Sequence, residues 1–161
     1  MMRNPMWMSG AVLAAGLALA VPAARAGEAD TAFYQRAQVA NFSARGTRFP
    51  AADYEALQLW ADAGGARRAR YAWGPDAKEL TLQVLGRSAG GDGFALGFPN
   101  GLVLDAIPQG EALRLRDRNG TYDKVFEWKY EGPVEGRGTA CTACVDEAEA
   151  VGFVRRHFIE R

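Results

Sequence analysis

Residues 113–130 read Leu-Arg-Leu-Arg-Asp-Arg-Asn-Gly-Thr-Tyr-Asp-Lys-Val-Phe-Glu-Trp-Lys-Tyr, two alternating runs on either side of Asn119-Gly120. Asn-Gly is the pair preferred by a two-residue type I′ turn, so the segment predicts a β-hairpin. With those two residues as the loop, Leu113 faces Phe126 and Leu115 faces Lys124, and the same face carries Tyr122, Trp128 and Tyr130. Arg114, Arg116, Asp123, Val125 and Glu127 take the other face, and Arg116 across from Asp123 predicts a cross-strand ion pair. Both strands place the core on the same side, as a true hairpin requires.

Working back from this hairpin, a period of two runs from residue 78. Leu80, Leu82 and Val84 alternate with Thr81, Gln83 and Leu85 in one half-buried strand, and residues 88–93 form a glycine-rich, flexible loop. Residues 94–98 and 102–107 flank Pro99-Asn100-Gly101, which suits a three-residue turn with Gly101 left-handed and pairs Phe98 with Leu102 and Leu96 with Leu104. That register turns Asp105 outward as a surface carboxylate. Phe94, Leu96, Trp128 and Tyr130 read as plain core.

Upstream the spacing is helical. Phe33, Ala37, Ala40 and Ala44 predict a helix over 31–45 with Asp30 as N-cap, and Tyr54, Leu57, Trp60 and Ala61 predict a second over 51–63, stopped by Gly64-Gly65. The Arg67-Arg68-x-Arg70 cluster leads into a short strand over 70–73 and reads as a solvated strand entry, with an anion site as the functional alternative. At the other end, Val145, Ala148, Val151, Val154 and Phe158 form a stripe that predicts a helix over 145–158, its acids early and its bases late along the dipole. The fold expected is α+β: an antiparallel sheet of about five strands packed by two N-terminal helices and one C-terminal helix.

Residues 1–26 carry the marks of a cleavable secretory signal. Arg3 precedes an apolar core over 11–21, Pro22 ends it, and Ala24-Arg25-Ala26 offers small residues at a cleavage site. The expectation is a mature, single exported domain over 27–161, periplasmic or secreted, with an uncleaved anchor as the rival reading. Without Arg3 and Arg25, 17 basic side chains face 19 acidic ones. That balance implies neither a nucleic-acid partner nor, after cleavage, a membrane one. Arginine outnumbers lysine 16 to 3, a bias of coding sequence rather than of binding.

Cys141-Thr-Ala-Cys144 is the one chemically suggestive pair. A C-x-x-C before a helix is the layout of a disulfide oxidoreductase, because a helix N-terminus acidifies a thiol. The motif is reached here through a long loop and only seventeen residues follow Cys144, which excludes a thioredoxin fold. Val145 stands where a haem-ligating histidine belongs, and the sole histidine, His157, lies thirteen residues along the predicted helix, about 20 Å away at roughly 1.5 Å per residue, too far to share a zinc ion. The first reading is a local disulfide, Cys141–Cys144, worth about 2 kcal/mol from loop entropy.

No cofactor fingerprint occurs, and a serine triad from Ser43 or Ser88 with His157 lacks a nucleophile elbow. Gly90-Gly-Asp-Gly93 reads as a turn. The expected function is a non-enzymatic exported binding or interaction protein of unknown ligand, protein or small molecule. The alternative is thiol-disulfide exchange or soft-metal handling by Cys141 and Cys144, without help from methionine, since all four methionines precede residue 9.

Overall fold

The computed structural model describes residues 37–129 and 144–161. Eight strands follow one another: β1 (Gln38–Ala44), β2 (Glu55–Ala61), β3 (Arg67–Trp73), β4 (Lys78–Arg87), β5 (Phe94–Gly97), β6 (Val103–Gln109), β7 (Ala112–Asp117) and β8 (Asp123–Trp128). Each pairs antiparallel with the next, and β8 returns to β1 with Phe42 opposite Trp128, Ser43 opposite Glu127 and Ala44 opposite Phe126. The result is a closed up-and-down barrel. It replaces the expected open five-stranded α+β sheet.

The two N-terminal helices are the main correction. Residues 38–44 and 55–61, expected to lie within them, form β1 and β2, while residues 31–36 of the first lie outside the described residues. Two features of these segments imitate a helix. Ala40 and Ala44, like Leu57 and Ala61, are four residues apart, a spacing that shares a face in a helix and in a strand alike. Both strands are also buried on both faces: Leu57 and Leu59 point into the barrel while Val39, Ala56 and Trp60 are covered outside it. Full burial blurs the alternation that marks a strand in β2, where Ala56 and Trp60 make the outer face apolar too, whereas Ala40-Asn41-Phe42-Ser43-Ala44 in β1 keeps it.

The later hairpins follow the sequence closely. Leu96 pairs with Leu104, Phe98 N donates to Leu102 O (2.8 Å) and Gly101 is left-handed (φ +88°). Leu113 faces Phe126 and Leu115 faces Lys124. Of the Asn119-Gly120 pair, Gly120 alone takes a positive φ (+73°), whereas a type I′ turn needs both. Arg116 does lie opposite Asp123, but the ion pair is diagonal: Arg114 reaches Asp123 with two nitrogens, at 2.7 and 2.5 Å.

Polarity is sorted by the wall. Leu57, Leu59, Leu82, Phe94, Leu115 and Phe126 fill the inside, while Arg45–Glu127, Arg70–Glu79 and Arg114–Asp123 pair across strands on the outside. This is the reverse of a bilayer-spanning barrel, whose outer band is apolar. Among the described residues no helix is long and apolar enough to cross a membrane.

One end is stoppered by the chain's last segment, helix α1 (Glu147–Val154) and a π turn (Arg155–Ile159). The helix starts later than the expected residue 145: Asp146 is its N-cap, accepting from Glu149 N (3.0 Å). Its buried face is also rotated, with Ala150, Phe153 and Val154 inward and Ala148 exposed. The wider winding of the π turn lets neighbouring Phe158 and Ile159 both turn in. The Phe158 ring lies 4.9 Å from that of Phe94 in β5, tilted by 44°, and Val145 N donates to Val39 O (2.8 Å) to tether the segment to β1. The connections at 62–66, 88–93 and 110–111 share this end; those at 45–54, 74–77, 98–102 and 118–122 rim the other.

The stopper is therefore part of the core. Phe158→Ala should cost about 3–5 kcal/mol in urea unfolding; a loss below about 1 kcal/mol would mean α1 is merely appended. Gly93→Ala should destabilise severely too, because its Cβ would strike the Ala106 carbonyl oxygen of the neighbouring strand.

Candidate functional site

At the open end the inward positions change character. The start of β2 contributes Glu55, the end of β3 Tyr71 and Trp73, the start of β4 Leu80, the β5–β6 turn Phe98, Asn100 and Leu102, and the approach to β8 Tyr122. These residues other than Glu55, with Leu104 deeper in the barrel, line a cup of about 310 Å³. Tyr71 stacks on Trp73 (centroids 5.9 Å apart, planes at 23°) and meets Phe98 edge-on at 5.4 Å.

Glu55 organises the rim. Its strand position is opposite Trp73, which turns a carboxylate onto the inner face. Tyr71 and Tyr122 both donate their hydroxyls to Glu55 Oε2, at 2.7 and 2.6 Å, and Lys124 Nζ donates to Oε1. Burial alone would raise the Glu55 pKa, yet the bonds from Lys124, Tyr122 and Tyr71 outweigh it and hold the carboxyl below its ordinary value. Burial, then the bond to Glu55, pushes both phenols above the usual tyrosine range. The ammonium of Lys124 lies 5.3 Å from the Tyr122 ring centroid.

A larger depression, about 620 Å³, lies against the outside of β1 and β8 between Arg48, Phe49, Tyr54, Trp128, Lys129 and Glu147. Its walls mix both charge signs with exposed loop residues. The cup is smaller but has the apolar lining and convergent polar groups of a binding site.

The residues singled out from sequence lie elsewhere. Cys144 sits at the stoppered end, two residues before the Asp146 cap, beside Val39 and Trp60, with Asn41 Nδ2 3.5 Å from its sulfur. It is outside the first helical turn, where the dipole acts, and Cys141 lies outside the described residues, as does Tyr130. Arg67 reaches the Phe158 carbonyl at 3.5 Å, and Arg70 pairs with Glu79 and lies 5.2 Å over Trp60. Those two are structural rather than an anion site. Asp105 points outward but is buried at 7 % exposure, correcting its reading as a surface carboxylate. Residues 88–93 are tied rather than loose: Ser88 Oγ accepts from Gly93 N (3.0 Å) and donates to Asp92 (3.1 Å), so its hydroxyl is engaged within the turn. Ser43 is buried on the outer face of β1. Phe94 and Leu96 are core. Among the described residues no three His, Cys, Asp or Glu side chains converge as metal ligands.

The cup residues escaped sequence reading because Glu55 fell inside an expected helix and the rings come from three separate places. One signal was visible: the hairpin register sets Lys124 on the core face, where an unpaired ammonium is costly.

Because the folded Glu55 carboxyl lies below its ordinary value of 4.5, its network stabilises the fold above that pH, and the contribution disappears as pH falls through the lowered value. Glu55→Gln should therefore be less stable than wild type near neutrality and should draw level with it as pH falls through the lowered Glu55 value in pH-dependent urea unfolding. A pH-independent gap would refute an ionised Glu55. Compared with protein-family models, curated proteins and solved structures, the chain matches none, so what the cup holds is argued from its own atoms.

Proposed function

We propose that this chain is an exported, non-enzymatic binding protein whose ligand seats in the aromatic cup at the open end of the barrel. The observation that carries this reading is the contrast between the two ends. The stoppered end is filled by Phe153 and Phe158, whereas the open end keeps a cup whose walls are fixed in place by Glu55. Because both phenolic hydroxyls are committed to that carboxylate, the cup offers mainly ring faces and leucine side chains, with the Asn100 amide at its lip. It suits one apolar or π-philic group of about the size of a ring or a branched alkyl.

Export rests on the signal-like residues 1–26, and the Cys141–Cys144 bridge is read as a local brace for the approach to α1. The competing reading, thiol-disulfide exchange or soft-metal handling through the same cysteines, places the chemistry at the opposite end of the barrel.

Calorimetric titration with 3,3-dimethyl-1-butanol, a neutral branched alkyl probe, separates the two. Saturable binding is expected, weakened about tenfold by Phe98→Ala and unchanged when Cys141 and Cys144 are both replaced by serine. Loss of binding in the cysteine variant with the Phe98 variant unaffected would move the site to the stoppered end. N-terminal sequencing of the protein from a secreting host should begin at Gly27; an intact Met1 would refute cleavage.

A further inference from the structure

We infer that the cup takes a neutral aromatic ring carrying a hydrogen-bond acceptor at its edge, as in an aryl ketone. The inference rests on the cup being a ligand seat, and it deepens that reading by naming the chemistry of the ligand.

The lining decides the charge. None of the side chains that line the cup is charged: burial and the bond to Glu55 push the Tyr71 and Tyr122 phenols above the usual tyrosine range, so both keep their protons. Glu55 itself lies outside the lining. An ion entering the cup would lose water without meeting a countercharge.

The rings decide the shape. Tyr71 and Trp73, two apart on β3, are nearly parallel, with planes at 23° and centroids 5.9 Å apart. Phe98 stands at 69° to Tyr71 with centroids 5.4 Å apart. A flat ring lying parallel to Tyr71 therefore meets Phe98 steeply, so the offset-stacked and edge-to-face geometries that aromatic pairs favour are both on offer. A saturated ring of the same bulk gains neither. The walls do not re-form around it, because Tyr71 and Tyr122 are both held by Glu55 Oε2. Volume agrees: an enclosed cavity of about 150 Å³ takes benzene, and a cup of about 310 Å³ has room for the ring and a substituent.

The polar groups decide what that substituent is. Asn100 Oδ1 accepts from Leu102 N (3.0 Å). A backbone N–H can meet only the oxygen end of an amide, so Asn100 Nδ2 is left at the lip with no partner among the described residues. Trp73 adds an indole N–H, a donor only, and both phenolic protons are committed to Glu55. The cup thus presents N–H donors, and a carbonyl beside the ligand's ring accepts from Asn100 Nδ2.

The experiment is calorimetry on the full chain with neutral probes of similar size: acetophenone, cyclohexyl methyl ketone, which keeps the carbonyl on a saturated ring, and ethylbenzene, which keeps the aromatic ring alone. Acetophenone should bind about fivefold more tightly than cyclohexyl methyl ketone. Asn100→Asp keeps the oxygen that bonds Leu102 N and removes the donor; it should weaken acetophenone about tenfold and leave ethylbenzene within about twofold. Phe98→Ala should weaken all three. Equal affinity for the two ketones overturns the aromatic selection, and unchanged acetophenone binding by Asn100→Asp overturns the acceptor; in either case a loss in Phe98→Ala keeps the cup as a binding site. Binding of none of the three overturns both readings. The ketone comparison uses the unaltered chain and stands whether or not Asn100→Asp folds. Benzoate should bind most weakly, and tightest binding of benzoate overturns the exclusion of charge. Binding of N-acetylphenylalaninamide above that of acetophenone would support the same chemistry and assign its source to a side chain of a partner protein rather than a free small molecule.

Discussion

Everything in this molecule depends on the pairing of β8 with β1. An antiparallel sheet of eight strands has two edges whose backbone groups lack partners, and closing it removes both at once. The closure is short, three residue pairs from Phe42–Trp128 to Ala44–Phe126, extended by Arg45 N donating to Val125 O and Lys129 N to Asn41 O. Phe42 and Phe126 are fully buried, so the seam is held by core packing as well as by hydrogen bonds. A closed barrel of this strand number leaves an interior just wide enough for side chains to fill. Its contents then depend on which residues face inward at each level.

Two chemistries divide that interior. Toward the stoppered end it is hydrocarbon and phenyl rings, completed by Phe153 and Phe158 from the end of the chain. Toward the open end a carboxylate and two phenols replace them. A carboxylate on the inner face is tolerated only where hydrogen bonds offset lost hydration, and Glu55 receives three donors. Those donors come from β3, β8 and the turn before it, so the same bonds that solvate the charge fix the aromatic walls relative to one another.

The legible parts of the sequence were those with local turn chemistry. Pro99-Asn100-Gly101 and Asn119-Gly120 set registers that the barrel keeps at Leu96–Leu104 and Leu113–Phe126. The β1–β2 hairpin has no such marker: its connection spans ten residues and its strands are buried on both faces. Ala40 and Ala44 fit either period, and within β2 the pair Leu57 and Trp60, three apart, separates the readings: in a helix they share a face, in the strand they oppose. Barrel closure itself is a long-range property that no local pattern carries. Of the site, Lys124 was placed on the core face and Glu55 was hidden by the wrong period. With β2 read as a strand, Glu55, Leu57 and Leu59 fall on one face, and a carboxylate aligned with two leucines marks the rim.

The filled lower barrel limits what the mouth can do. With Leu104 as its floor, the cup has a volume of about 310 Å³, at the small end for ligand pockets. Apolar contact over so small an area cannot supply both affinity and selectivity. Selectivity then depends on how firmly the walls keep their shape, and Glu55, which is not itself in the lining, fixes two of them by holding Tyr71 and Tyr122. A preorganised wall loses no conformational freedom on binding, and Lys124 adds to that restraint through its bond to Glu55 Oε1. The cup's shape thus follows from one carboxylate held by donors from β3, β8 and the turn before it, an arrangement that only the closed barrel brings together.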